Sequence, residues 1–244
     1  MTFEKDRIFD HPAAAEEPPF EFNDAVARVF PDMLERSIPG YATTLSTIAA
    51  MAGRYAQPGS RCYDLGCSLG AATFAMRDAV DDATVTIVGV DNAPAMIDRA
   101  RASLADHQKN GPVELELGDI TAFPLENSSV VVLNFTLQFV PLGERTALLS
   151  RIADALRPGG VLLLSEKIAF EDPVSDTLFH DLYHAFKRSQ GYSQLEISRK
   201  RSALENVLVR ESLADHRTRL ENAGFRQVEQ WFQCFNFASL VAFK

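Results

Sequence analysis

The chain has 244 residues and a mass of 27.0 kDa, enough for one large domain or one domain with an elaboration. Its formal net charge of −9 argues against a chain that grips nucleic acid through phosphate contacts, and favours small-molecule ligands. No apolar run approaches the roughly 18 residues of a membrane span, and MTFEKDRIFDHP lacks the apolar core of an export signal. Three cysteines, Cys62, Cys67 and Cys234, fit no CxxC pattern, which speaks against structural zinc and for a reducing, cytoplasmic setting.

Residues 1–21, with HPAAAEEPP in the middle, are expected to form a loose leader to a single domain spanning 22–244. A helical pattern runs from Phe22 to Phe30, and Pro31 is expected to start a second turn of helix. After the SIPGY loop, Tyr41, Leu45, Ile48, Ala52 and Tyr55 recur at helical spacing, and a QPGS turn ends this helical preface. Strands and helices then alternate. Arg61–Leu65 reads as a strand, Leu69–Val80 as a helix and Thr84–Val90 as a β-branched strand. Asn92 is expected to cap the next helix. Val113 to Leu117 and Val130–Phe135 read as strands, Leu142–Leu156 as a helix stopped by RPGG, and Val161–Ser165 as a buried strand. Such alternation implies right-handed βαβ units and a mostly parallel sheet with helices on both faces. Region 170–207 breaks the rhythm; it is helical and polar, and is expected to be a cap or insertion. Helix Leu213–Ala223 leads into FRQVEQWF and CFNFASLVAF, two closing strands expected to be antiparallel.

The stretch YDLGCSLGAATFAM, Tyr63 to Met76, carries two signatures. Gly66-Cys67-Ser68-Leu69-Gly70 spells the G-x-S-x-G of an esterase, with Ser68 as nucleophile. That reading needs an oxyanion loop after an earlier strand, and everything before Arg61 reads as helix or leader. Read from Asp64, the same residues form a glycine-rich turn from strand to helix that cradles a nucleoside cofactor. Asp91 then ends the second strand, where an acid accepts from ribose hydroxyls. Ser68 replaces the glycine that makes room for a pyrophosphate, and Asp64 would repel phosphates but welcome a cationic amine. Those features point to S-adenosyl-L-methionine rather than a dinucleotide.

YDLGCSLG, VDNAPAM, GDI and LRPGG, in that order, resemble the Rossmann-like class I methyltransferase scaffold, with a seven-stranded sheet. VFPDMLERSIPGY, DLGCSLGAAT, NFTLQF, LSEK, GYSQLEISRKRSALENV and WFQCFNF together resemble a narrower family, the carboxy-S-adenosyl-L-methionine synthases. That resemblance implies an enzyme that takes S-adenosyl-L-methionine and prephenate and forms phenylpyruvate. The S-methyl group is deprotonated to a sulfonium ylide, which captures the carbon dioxide that prephenate releases. It further implies a homodimer without a metal, and a separate tRNA-modifying enzyme that uses the product on the wobble uridine. An ordinary methyltransferase acting on a small molecule or tRNA, and a non-catalytic S-adenosyl-L-methionine-binding partner protein, stay open as alternatives.

The resemblance carries specific residues with it. Asp91 would hold the ribose, Asp119 the adenine and Ile120 the adenine face, with Asn92 also among the cofactor-binding residues. Gly66, Cys67 and Ser68 would present their backbone. Tyr41 would lie over the cofactor, although by composition alone it reads more often as a packing tyrosine. Asn134, at the carboxyl end of a strand, is placed at the site by the rule for parallel sheets. Arg201 would clamp the product's new carboxylate, a task that suits a guanidinium; by spacing alone it belongs to a solvated basic helix face, with Arg199 and Lys200 beside it. Cys67 at a helix N-terminus would have a depressed thiol pKa, but with no basic partner it is not assigned as a nucleophile. No general base is assigned; the hydroxide leaving prephenate would serve.

Overall fold

The computed structural model describes residues 4–6, 8, 21–104, 111–205 and 207–244, except for the side chains of 200–205. Of the expected leader, residues 4–6, 8 and 21 are described, and the rest lies outside the described residues. Asp6 is buried: its N–H donates to Asp32 Oδ2 at 2.8 Å, and its Oδ2 accepts from the Tyr192 hydroxyl at 2.7 Å.

Two helices, α1 (Asp24–Ser37) and α2 (Tyr41–Tyr55), precede the sheet. The Asn23 side chain caps α1 by accepting from the Val26 N–H. Pro31 does not begin a second turn, as its sequence context suggests; it sits inside one continuous helix. Proline removes one helical hydrogen bond there, yet Val26, Val29, Phe30 and Met33 form one buried stripe running through it, and their burial holds the helix together.

The sheet comprises β1 (Arg61–Leu65), β2 (Thr86–Asp91), β3 (Val113–Leu117), β4 (Ser128–Asn134), β5 (Leu156–Lys167), β6 (Gln227–Cys234) and β7 (Phe237–Phe243). Its spatial order is β3-β2-β1-β4-β5-β7-β6, parallel throughout except that β7 runs antiparallel to both β5 and β6. Helices α3 (Ala71–Ala79), α4 (Pro94–Leu104), α5 (Leu142–Ala155) and α8 (Leu213–Asn222) pack around it; α6 (Pro173–Ser189) and α7 (Gln194–Glu205) fill the region expected to be a cap.

The core follows from the two-residue period of the strands. Tyr63, Leu65, Val131 and Leu133 turn to one face, where they meet Leu148, Leu149 and Ile152 of α5 and Leu220 of α8. Cys62, Val130 and Val132 turn to the other, against Ile48 and Ala52 of α2 and Ala72 and Met76 of α3. Each fully buried aliphatic side chain contributes about 1.5–3 kcal/mol, so strands apolar on both faces belong in the middle of the sheet.

Two local expectations need correction. The RPGG sequence does not separate α5 from its strand: β5 begins at Leu156, opposite Ser128, and the register then jumps to Val130 opposite Val161, so residues 157–160 bulge out within it. Asn92 does not cap α4, because the helix starts at Pro94, one residue too late, and Asn92 is exposed. Instead Asp91 Oδ1 accepts the Ala93 N–H at 2.9 Å, a short-range turn that delays helix entry.

Candidate active site

The chain runs outward from β1 to β3 and then returns to place β4 on the other side of β1. At such a reversal the loops from the carboxyl ends of the strands diverge and leave a crevice. A cavity of about 1010 Å³ lies there, roofed by α1, α2 and α6. Tyr41, Gly66, Cys67, Ser68, Asp91, Asn92, Asp119, Ile120 and Asn134 all line it. Arg201 is the remaining candidate; its backbone lies in α7, and its side chain lies outside the described residues, as do those of Lys200 and the rest of that turn.

The turn after β1 is built from backbone bonds to β2. The N–H groups of Gly66 and Cys67 both donate to the Val90 carbonyl, at 2.8 and 3.0 Å. Gly66 has φ +82°, and a Cβ there would stand 2.3 Å from Thr136 Cγ2, so only glycine lets the turn pass the start of the segment after β4. Ser68 also occupies the left-handed region, at φ 49°. Its N–H donates to Asp91 Oδ2 at 2.8 Å, a bond that helps hold this strained conformation. The esterase reading fails on the same geometry: only helices precede β1 among the described residues, so no earlier strand supplies an oxyanion loop.

Two acids face this turn. Asp64 is 1% exposed and accepts from the Thr73 hydroxyl at 2.7 Å. Burial pushes its carboxyl up to about 6; the Thr73 bonds oppose the shift, and repulsion from Asp91 adds to it. A ligand cation would favour its ionised form. The Asp91 pKa is raised by burial, against the N–H groups of Ala93, Ser68 and Asn92. Asp119 is exposed on the cavity wall, with Oδ1 taken by the Thr121 N–H and hydroxyl, each at 2.8 Å. Ile120 belongs both to the wall and to the main core.

Cys67 departs from expectation. Burial, then Asp64 and Asp91, raise its thiol pKa, overriding any helix N-terminal effect, so it stays a neutral thiol. Tyr41 is half-buried; burial, with Asp64 and Glu35 nearby, raises its phenol pKa and keeps it a hydrogen-bonding phenol. Asn134 Oδ1 is buried at the cavity with no hydrogen-bond partner among the described residues. A buried acceptor left unpaired costs about 1–3 kcal/mol, which a donor on a bound ligand would recover. The cradle at Gly66, the Asp64 carboxyl and this orphaned amide oxygen together fit an adenosyl amino acid.

The segment after β4 completes the wall. A 3-10 turn, Leu137–Phe139, is held by Glu166, whose two carboxylate oxygens accept from the N–H groups of Leu137 (2.9 Å) and Gln138 (3.0 Å). Arg145, fully buried, donates to the carbonyls of Val140, Gln138 and Val209 and to Glu211. One guanidinium thus fixes the turn and the segment carrying Leu208, Val209 and Arg210, which also line the cavity. Asp64, which sequence reading holds suited to a cationic amine, does reach the cavity; Lys167, Lys187 and Thr136 reach it too, and sequence reading leaves those three out as site residues. For Lys167 a signal exists, since it ends a strand that is parallel to β4.

A family model described as a methyltransferase domain matches residues 63–160. Over the full length of both chains the protein is 56% identical to the carboxy-S-adenosyl-L-methionine synthase of Geobacter sp. (strain M21). Identity to the carboxy-S-adenosyl-L-methionine synthase of Escherichia coli (strain K12 / DH10B) is 50%, over 98% of this chain and 97% of that one. Among solved structures, the magnesium protoporphyrin IX methyltransferase of Synechocystis PCC 6803 with bound SAH matches with a TM-score of 0.59 at 18% identity, covering 86% of each chain. That likeness shows the Rossmann-like class I methyltransferase fold, and the full-length identities show the narrower relationship. The chain belongs to the carboxy-S-adenosyl-L-methionine synthase family.

Proposed function

We propose that this chain converts S-adenosyl-L-methionine and prephenate into carboxy-S-adenosyl-L-methionine and phenylpyruvate. The observation that carries the reading is the reach of the family identity. It runs the full length of the chain and so includes the α6–α7 cap, which the methyltransferase-domain match at 63–160 does not touch. In this reading Asp91 and Asn92 hold the ribose and Asp119 accepts from the adenine amine. Ile120 packs on the adenine, and Asp64 faces the substrate's ammonium. Tyr41 and Asn134 border the sulfonium, and the backbone of Gly66, Cys67 and Ser68 lets the amino-acid portion approach.

Prephenate becomes aromatic by losing its ring carboxylate as carbon dioxide and its hydroxyl as hydroxide. The hydroxide takes a proton from the S-methyl group, forming water and the sulfonium ylide. The ylide carbon then bonds to carbon dioxide, and the new carboxylate pairs with Arg201. The cap's place over the cavity supports a closed, dry site in which water does not quench the ylide. The product then serves a separate tRNA-modifying enzyme that places an oxyacetic group on the wobble uridine. The free cysteines Cys62, Cys67 and Cys234 favour a cytoplasmic setting, and the exposed leucines of the cap favour a homodimer.

Incubating the protein with S-adenosyl-L-methionine, with and without prephenate, and weighing the nucleoside product tests the reading. A gain of one carboxyl group that depends on prephenate supports it. An unchanged nucleoside mass in both arms sinks it. The methyltransferase-domain match favours a second reading, methyl transfer to a small molecule or tRNA, which would instead yield S-adenosylhomocysteine once such an acceptor is added. Arg201→Ala should weaken binding of the carboxylated product far more than that of S-adenosyl-L-methionine.

A further inference from the structure

The cavity is charged in opposite senses at its two ends. Asp64, Asp91 and Asp119 gather where β1, β2 and β3 end. Lys167 at the end of β5 and Lys187 on α6 line the opposite wall, with Arg210, which pairs with Asp176 at 3.3 Å. Glu35 and Glu144 also reach the cavity, but both are exposed at its rim.

The two lysines converge on one aromatic ring. Lys167 Nζ stands 4.7 Å from the centroid of Tyr183, and Lys187 Nζ stands 5.1 Å from the same centroid. Tyr183 is buried, its ring 5.0 Å from that of Phe237, so the platform under the lysines is fixed. Lys187 is itself only 4% exposed. The face of that one tyrosine attracts both ammoniums, and so gathers two positive charges at this wall of the cavity. An anion entering the cavity at this wall would be attracted by both.

We infer that Lys167 and Lys187, gathered over Tyr183, form the subsite that binds a carboxylate of the second, anionic substrate. The inference rests on the proposed reading that this substrate is prephenate. Prephenate carries two carboxylates, and one leaves as carbon dioxide. Ion pairing stabilises a carboxylate against decarboxylation, so the leaving group belongs in drier surroundings. The lysine pair therefore takes the pyruvyl carboxylate, which survives in phenylpyruvate. The acidic end then holds the cationic nucleoside, and the two substrates lie head to head with opposite charges separated.

Phenylpyruvate is a stable probe for this subsite. Its binding to the chain loaded with S-adenosylhomocysteine is measured by calorimetry, which needs no turnover. Lys167→Met and Lys187→Met should each weaken it about tenfold or more, the loss expected for one charge-assisted bond, while S-adenosylhomocysteine affinity stays within roughly twofold. Lys187→Arg, which keeps the charge, should retain most of the affinity and guards against a folding defect at this buried position. Phenylpyruvate affinity unchanged in both methionine variants, or no phenylpyruvate binding by the wild type, overturns the subsite. Wild type that binds phenylpyruvate at these lysines but makes no carboxylated nucleoside from prephenate overturns the proposed reaction instead.

Discussion

The Ser68 N–H donates to Asp91 Oδ2 at 2.8 Å, while Oδ1 of the same carboxylate accepts the Ala93 N–H at 2.9 Å. One side chain therefore joins the turn after β1 to the turn after β2, and steadies a serine at φ 49°. In Asp91→Asn an NH₂ replaces one acceptor, so either Ser68 or Ala93 loses its partner, at a cost of about 1–3 kcal/mol. We expect S-adenosylhomocysteine binding, measured by calorimetry, to fall about tenfold or more. Affinity unchanged from wild type would show that Asp91 organises neither the turn nor the ribose.

How much of this site is legible in the sequence depends on how local its cause is. β1 is read to the residue, because Arg61–Leu65 is bounded by the QPGS turn and the glycine turn. Asp91 and Asn134 are legible for the same reason, each ending a strand, whereas Asp119, two residues past β3, is reached only through the family resemblance. Lys167 obeys the strand-end rule too, but it sits seven residues beyond a bulge that disguises where β5 begins. Lys187 and Tyr183 are out of reach: α6 carries cavity-facing residues on one side and exposed leucines on another, and nothing local says which side meets the site. The Asn92 cap fails because a competing carboxylate one residue earlier takes the N–H that begins the turn.

Asp64 makes nucleoside binding depend on pH. Its folded-state pKa, about 6, exceeds the roughly 3.9 of an unfolded aspartate. The free protein therefore holds a proton that the unfolded chain has released, and loses stability as pH rises from about 4 to about 6. A bound ammonium favours the ionised form, so affinity should rise between about pH 5 and 7 with proton release on binding. Asp91, also shifted upward, acts in the same direction. Calorimetry in buffers of different ionisation enthalpy reads both effects. Asp64→Asn should bind more weakly and with a flatter profile. A flat profile in the wild type would mean that Asp64 does not face the ammonium.

Glu166 is pushed up to about 8 by burial, which outweighs Arg145 and the two N–H groups that favour its ionised form; Glu211 adds repulsion. Its folded pKa again lies above the unfolded value, so ionising it removes stability as pH rises from about 4.5 to about 8. Glu166→Gln cannot ionise, and urea unfolding should show a shallower decline across that window. The amide also leaves one N–H of the 3-10 turn unpaired, so at pH 5 the variant should be no more stable than wild type. Parallel stability profiles for the two proteins would show that Glu166 does not titrate there.

Val174, Leu178 and Leu182 recur every fourth residue along α6 and are 76%, 53% and 39% exposed, and Leu195 on α7 is 56% exposed. An apolar stripe of this kind on a cap marks a contact surface, and a second copy of the chain is the occupant the proposed homodimer requires. The same helix turns Tyr183, Lys187 and the imidazoles of His180 and His184 into the cavity. A dimer built on the stripe would then press the cap onto the site. Leu178→Glu places a charge in that apolar contact, and should weaken self-association about thirtyfold or more, equivalent to about 2 kcal/mol. Sedimentation should show a monomer that still binds S-adenosylhomocysteine, since the strand-end residues are untouched, but turns over more slowly because its cap closes less often. A wild type that sediments as a monomer, or a Leu178→Glu dimer as tight as wild type, would place the interface elsewhere.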